Sequence, residues 1–266
     1  MPKQYFLGLA SFLCIAYGIS QVASAQSVKP LSRAHAHNDY LHERPLLDAL
    51  EQGFCSVEAD VYLVDGELLV AHDRWQLKPE RSLKALYLDP LRERVSANKG
   101  LVYPDGPPVT LLVDIKSDGK STAIALHQLL SQYSDVFTSV ENGKVTSKAV
   151  TAIISGNRDN KAILSQSPRF FGIDGRLSDL KSKAPTHEMP LISDHWGQNF
   201  RWRGEGEMSD EDAAKLKQII DQVHAQERRI RFWATPDRPA VWRALNEAGV
   251  DLINTDKLAE LATFLQ

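Results

Sequence analysis

SVEADVYLVDGELLVAHD, residues 56–73, holds two carboxylates, Glu58 and Asp60, two positions apart in a run whose alternate members Val57, Ala59 and Val61 are apolar. Side chains alternate across a strand, so the two acids share one face and the apolar residues occupy the other. On a half-exposed strand the acids would simply meet water. With Val57, Ala59 and Val61 turned toward covering helices, the acids instead point into a barrel, where charge is costly unless paired or coordinated. Asp65-Gly66 is a hairpin turn signal. The second arm of that hairpin, 67–71, ends at His72-Asp73.

The same delivery of polar groups to strand ends recurs on either side. VTLLVDIK (109–116) brings Asp114 and Lys116 to one face, and AHAHNDY (34–40) ends an apolar run on His35, His37 and Asn38. Strands are expected at 31–35, 56–63, 109–115, 149–155, 170–174, 190–194, 229–234 and 252–254. Helical stretches are expected at 45–52, 121–133, 159–165, 209–226, 239–247 and 258–265. Across 239–249, Val241, Trp242, Leu245 and Ala248 fall on one face. Pro45 suits a first helical turn, and Gly53 and Gly249 suit helix ends. Eight strands alternating with helices predict an α/β protein, a single (β/α)8 barrel of the TIM type with a small β-hairpin inserted near the second strand. Such a barrel assembles its active site from the carboxyl ends of its strands.

The first 25 residues read as an export signal, with Lys3, an apolar run from Tyr5 to Ile19, and a small-x-small ending at Val22-Ala23-Ser24-Ala25. The run is too short for a comfortable membrane span, so the expected product is a secreted or periplasmic domain, 26–266, with no stable span. Without Lys3 it carries 30 basic and 34 acidic residues, a balance that argues against nucleic acid as a partner. Of the two cysteines, Cys14 and Cys55, only Cys55 would remain, so no internal disulfide is expected. The remaining 241 residues suit one barrel domain, for which about 250 is typical.

Glu58, Asp60 and Asp114 make an oxygen donor set for a hard divalent cation, Mg2+ or Ca2+. Asp114 and Lys116 read alternatively as a buried salt bridge. His37 and His72, at strand ends beside the acids, are of the residue type suited to act as a pair of proton shuttles, one as base and the other as acid. Trp233, in RFWATP, is either a wall of the barrel mouth or a core aromatic. Asp194-His195-Trp196 is a further approach to the mouth, and 199–207 (NFRWRGEGE) reads as a mobile polar loop over the pocket.

His37-Asn38, Glu58-x-Asp60, His72-Asp73, Asp114-x-Lys116, Trp233 and the closing GVD…NTD (249–256) together resemble the phosphodiesterase superfamily. It contains the glycerophosphodiester phosphodiesterases, phosphatidylinositol-specific phospholipase C and the sphingomyelinase D enzymes. The resemblance covers roughly 33–256 and is nearest to an exported, phospholipase-C-like branch that includes a yeast mitochondrial-inheritance protein. It implies phosphodiester hydrolysis of a glycerophosphodiester or phospholipid-type substrate. It also implies that His37 and His72 are the acid/base pair, His37 toward the nucleophile and His72 toward the leaving group. Glu58, Asp60 and Asp114 would hold one divalent cation, and Asn38, Lys116 and Trp233 would contact substrate. Where glycerophosphodiesterases carry His-Arg-Gly, this chain has His37-Asn38-Asp39, so their phosphate-binding arginine is missing. Two other readings use the same residues. A metal-dependent amidohydrolase would bind Zn2+ through His35-x-His37, with His195 and Asp256 in support. A non-catalytic exported protein would bind a phospholipid headgroup.

Overall fold

The computed structural model describes Met1 and residues 28–266. The export signal expected at 1–25 lies, apart from Met1, outside the described residues. Eight parallel strands form a nearly closed barrel with helices between them. In chain order the strands are β1 (Leu31–Ala36), β2 (Phe54–Val64), β3 (Glu67–Val70), β4 (Val109–Ile115), β5 (Ser139–Glu141), β6 (Lys144–Thr146), β7 (Val150–Gly156), β8 (Phe171–Gly175), β9 (Leu191–His195), β10 (Arg229–Trp233) and β11 (Ile253–Thr255). The barrel runs β10-β9-β8-β7-β4-β2-β1-β11, and a parallel bridge between Arg231 and Leu252 brings its two edges together. All eight expected barrel strands form, within two residues of their expected ends.

The hairpin forms as expected. Antiparallel β3 pairs with the outer half of β2, and Asp65 (φ 49°) and Gly66 (φ 88°) make the two-residue turn whose positive φ values match strand twist. The helices are α1 (Leu47–Glu51), α2 (Asp89–Ala97), α3 (Gly119–Ser131), α4 (Asn160–Leu164), α5 (Trp196–Asn199), α6 (Asp210–His224), α7 (Pro239–Ala248) and α8 (Leu258–Leu265). Asp118, Asp159 and Ser209 cap α3, α4 and α6 by accepting a backbone N–H from the first turn, which satisfies donors the helix leaves open. Helix α7 buries Val241, Trp242 and Leu245 as its spacing predicts. None of the described helices is long and apolar enough to cross a membrane.

Two expectations are corrected and one element is added to them. Helix α1 starts at Leu47 because Leu46 has φ 66°, outside helical geometry, so Pro45 precedes the first turn rather than opening it. Between the hairpin and β4, a wide helical turn at Lys84–Leu88 runs into α2, with Pro90 in the first turn of α2, a position where helices tolerate proline. The stretch 199–207 is anchored: the backbone N–H groups of Arg201 and Trp202 donate to Asp212, and the Trp202 indole donates to Glu205 and Gly206 carbonyls. It borders a groove with Glu211, Asp212 and Lys215 on the outer surface and does not line the cavity at the strand ends.

Strand alternation divides the barrel interior into levels. Leu112, Ile153, Leu191 and Leu252 form a small buried cluster of their own, distinct from the large strand–helix core. One step further along the strands, the same inward positions become Asp114 on β4 and Ser155 on β7, paired in register. The apolar level is thus the floor on which the polar level stands. Leu112→Ala empties part of that floor and is expected to lower unfolding stability by about 2–5 kcal/mol. Val145→Ala, on exposed β6, should change it by less than about 0.5 kcal/mol. Urea unfolding of the two variants checks the contrast.

Candidate active site

Glu58 and Asp60 leave β2 on its inward face, buried, and Asp60 pairs in register with Asp114 on β4. The three carboxylates each offer an oxygen within 4.8 Å of the others. The crowding shows in their titration. Burial, and after it the Glu58 charge, pushes Asp60 above the usual carboxylate range. Burial lifts Asp114 to about 6 against the opposing pull of Lys116. Glu58 goes the other way: burial opposes its ionisation, but the Arg231 charge and then the His35 hydrogen bond hold it well below the ordinary value.

Two cations sit among these acids. Arg231 on β10 donates to Glu58 Oε2 at 2.6 Å and to Asn254 Oδ1 at 2.9 Å. Lys116 Nζ lies 3.1 Å from Asp60 Oδ2 and 3.0 Å from Asp114 Oδ1, so the salt bridge considered from sequence does form. The Lys116 contact to Asp114 Oδ1 lacks hydrogen-bond geometry, and that oxygen and Asp60 Oδ1 are buried without a hydrogen-bond partner. Three carboxylates against two fixed cations leave one negative charge uncompensated. An all-oxygen donor set with one orphaned oxygen, Asp60 Oδ1, and excess negative charge fits a hard divalent cation; these three residues could hold one.

The two expected histidines flank the acids. His72 Nδ1 lies 2.9 Å from Asp60 Oδ2 and 3.1 Å from the Tyr40 hydroxyl. His37 Nδ1 lies 2.9 Å from Asp256 Oδ1. A carboxylate only accepts, so facing its acid each ring places its proton on Nδ1 and leaves Nε2 as its second nitrogen. Burial disfavours the charged His37 ring, yet the bond to Asp256 and the neighbouring Glu58 outweigh it and hold its pKa above the ordinary value. Asn38, in left-handed conformation (φ 50°), donates to Asp256 Oδ1 at 3.3 Å and accepts from Tyr40 at 2.6 Å. Its amide thus helps to hold the turn.

His35, the other half of His-x-His, is fully buried. Its Nδ1 meets Ser56 Oγ at 2.7 Å and its Nε2 meets Glu58 Oε2 at 3.1 Å. Burial, then the Arg231 charge, lowers its pKa to about 3, so the ring is neutral and both nitrogens are occupied. A two-histidine metal site would need one of them free.

His37, Glu58, His72, Asp114, Lys116 and Trp233 all line one cavity of about 480 Å³. Trp233 is thus a wall of the mouth, and His195 packs edge-on against it at 4.4 Å. Gly156, with φ 69°, closes the cavity behind Asp114; a Cβ there would stand 2.3 Å from Asp114 Oδ1. Four participants escaped the sequence reading: Tyr40, Arg231, Asp174 and Arg176. Arg229, Arg231 and Trp233 alternate on one face of RIRFW, which puts Arg231 on the face of Trp233 but does not name its partner. A second, apolar cavity of about 530 Å³ lies at the opposite end of the barrel, beside Pro108, Phe170 and Pro190.

Known proteins give the same picture. The model of the AIM6-like phosphodiesterase domain matches residues 23–171, and that of the glycerophosphoryl diester phosphodiesterase family matches 229–259. The chain is 30% identical to altered inheritance of mitochondria protein 6 of Eremothecium gossypii, covering 93% of this chain and 73% of that protein. It is 28% identical to the Saccharomyces cerevisiae protein of the same name, covering 96% and 76%. The crystal structure of glycerophosphodiester phosphodiesterase from Agrobacterium tumefaciens superposes with a TM-score of 0.54 at 18% identity, over 88% of this chain and 99% of that one. It has the same barrel. Together with the acid group and its two histidines at the carboxyl ends of the strands, these matches place the chain in the AIM6-like phosphodiesterase family, within the phospholipase-C-like superfamily of glycerophosphodiester phosphodiesterases.

Proposed function

We propose that this chain is an exported phosphodiester hydrolase that depends on a divalent cation, Mg2+ or Ca2+, and acts on a glycerophosphodiester or phospholipid-type substrate by two-histidine acid/base catalysis. One observation carries the reading: two histidines, each fixed at Nδ1 by its own carboxylate, flank a three-carboxylate group in one cavity. A protein that only bound a headgroup would have no use for a pair of oriented proton carriers.

Bound by Glu58, Asp60 and Asp114, the cation would supply charge to a non-bridging phosphate oxygen as the transition state develops. The chain's own groups do the rest. His37 Nε2 accepts the proton of the attacking hydroxyl, from water or from a neighbouring substrate hydroxyl. The bond from phosphorus to the leaving oxygen breaks, and protonated His72 gives its proton to that oxygen. Attack by a substrate hydroxyl leaves a cyclic phosphate. Lys116, held between Asp60 and Asp114, has its ammonium at the cavity wall for a second phosphate oxygen. Removal of residues 1–25 on export is part of the same proposal.

The test is hydrolysis of bis(p-nitrophenyl) phosphate by the chain lacking residues 1–25, first with EDTA and then with single metals restored. Recovery with Mg2+ or Ca2+ is expected. Recovery with Zn2+ alone would transfer the assignment to the His-x-His reading, and silence with every metal would favour the binding protein. His37→Ala and His72→Ala should each lower kcat by roughly 10²–10⁴-fold while the chain stays folded by circular dichroism.

Asp256→Asn removes an interaction that raises the His37 pKa. A group with a raised pKa keeps its proton to higher pH, so losing the cause moves its titration down. The limb of the pH–rate profile belonging to His37 should shift to lower pH. An unshifted profile would remove Asp256 from the pair.

A further inference from the structure

The turn that carries His37 and Asn38 continues into a segment, 38–46, that holds a buried acid the chemistry above does not use. Asp39 is fully buried. Its Oδ2 accepts the Leu46 backbone N–H at 2.6 Å and the Tyr87 hydroxyl at 2.8 Å, and its Oδ1 has no hydrogen-bond partner among the described residues. Burial pushes its carboxyl up to about 7, against the pull of those two donors. Oδ2 can accept whether or not Oδ1 carries a proton, so the two bonds do not depend on the charge.

Two residues with positive φ bound the segment, Asn38 at 50° and Leu46 at 66°. Leu46 is the more unusual. With ψ at −53° and the Leu47 N–H donating to the Pro45 carbonyl at 2.8 Å, it is the centre of a γ-turn. That conformation is rare and strained, and here a fully buried leucine adopts it. Such strain persists only where the surroundings over-determine it. The Asp39 carboxyl supplies the constraint: it takes the Leu46 N–H and, through the Tyr87 hydroxyl, ties the γ-turn to the wide helical turn at Lys84–Leu88.

What the segment delivers is Tyr40. Its ring lies parallel to that of His72, within 10° and at 6.4 Å between centroids. Its hydroxyl reaches Asn38 Oδ1 at 2.6 Å, Asp60 Oδ2 at 2.7 Å and His72 Nδ1 at 3.1 Å, and its carbonyl accepts from Arg81. Tyr40 directly follows Asp39, so a displacement of Asp39 is felt at Tyr40 first. Where glycerophosphodiesterases carry glycine, this chain has Asp39, and a glycine has no side chain with which to make such a tie.

We infer that Asp39 is a positioning residue, which latches the strained turn at Leu46 to Tyr87 and thereby holds Tyr40 against Asp60 and His72. The inference rests on the phosphodiesterase reading only for the chemistry that Tyr40 serves; the latch itself can be read without turnover.

The chain lacking residues 1–25 and its variants Asp39→Ala, Asp39→Asn and Tyr40→Phe, compared by NMR and by turnover at one fixed pH, test it. Asp39→Ala leaves the Leu46 N–H without its acceptor. Exchange of that amide with solvent should quicken roughly tenfold or more, along with its neighbours in 40–47, while β4 and β7 keep their protection. The His72 ring nitrogen signals should move toward those of Tyr40→Phe. Asp39→Asn keeps an oxygen for both donors and should return both readouts to near wild type. With bis(p-nitrophenyl) phosphate, Asp39→Ala should lower kcat roughly 10–100-fold with little change in KM, and Asp39→Asn should stay within about threefold of the unmutated chain. Should Asp39→Ala fail to fold, Tyr87→Phe deletes a single oxygen and one of the two donors; exchange and the His72 signals should then shift the same way, by less. Unchanged Leu46 exchange, unmoved His72 signals, or Asp39→Asn as damaged as Asp39→Ala would overturn the latch. An opened segment with unchanged kcat in an active enzyme would overturn the positioning role. These NMR changes in a chain that turns over nothing under any metal would remove the hydrolase and keep Asp39 as the group that places Tyr40.

Discussion

Glu58, Asp60 and Asp114 lie close enough to share one ion, and like charges at that distance in a buried site do not coexist unless something answers them. Much of the upper barrel is that answer. Arg231 reaches across from β10 to Glu58, Lys116 sits between Asp60 and Asp114, and Tyr40 gives its hydroxyl to Asp60 or Asn38. His35 adds a hydrogen bond to Glu58 but no charge, because burial and Arg231 keep its ring neutral. Protein cations answer two of the three negative charges. The remaining one, with the unpartnered Oδ1 of Asp60, is what a divalent ion could answer.

That arrangement needs a rigid base. The interior positions one step toward the start of the strands are Leu112, Ile153, Leu191 and Leu252, packed against one another. Register then carries the acids: Glu58 stands opposite Leu112 and Asp60 opposite Asp114 across the β2–β4 ladder. A slip of one residue between these strands would turn Asp114 outward toward the helices and put Val113 or Ile115 in its place. The site geometry is therefore a property of strand pairing, and the apolar floor fixes that pairing. This is the usual division of a (β/α)8 barrel, stability toward one end and chemistry at the other.

What could be read from the sequence follows from the range of the forces involved. Strands buried on both faces read as runs such as VTLLV and AIIS, and the Asp65-Gly66 turn announces the hairpin, so the barrel was legible. The acids were legible because alternation with Val57, Ala59 and Val61 is a local pattern. The Asn142-Gly143 turn joining β5 and β6 carried the same kind of signal, but its strands are three residues long and exposed, too short for alternation to register. Lys84–Ala97 was hidden by Asp89-Pro90, which reads as a break although Pro90 sits where a helix tolerates it. Arg231 was missed for a different reason. Its partner Glu58 is 173 positions away, and nothing local in RIRFW distinguishes an arginine that meets a carboxylate from one that meets water.

The two histidines look equivalent in sequence but are not so in structure. Asp256, which orients His37, belongs to the last strand's exit, is more than half exposed and contacts neither the acid group nor Lys116. Its own placement comes from Asp237, which accepts from the Asp256 backbone and the Thr255 hydroxyl. The partner of His72 is Asp60, itself a member of the three-acid group and bound to Lys116 and Tyr40 through the same oxygen, Oδ2. Charge added to or withdrawn from the acid group is therefore felt directly at His72 Nδ1, whereas at His37 it arrives only through space, from Glu58. Asp60 Oδ1 has no partner, so an ion can take that oxygen while Oδ2 keeps hold of the histidine. One carboxylate thereby joins the three-acid group to one ring, whereas the other ring is held by a carboxylate outside that group, an asymmetry that suits the different acid and base roles proposed for the two histidines.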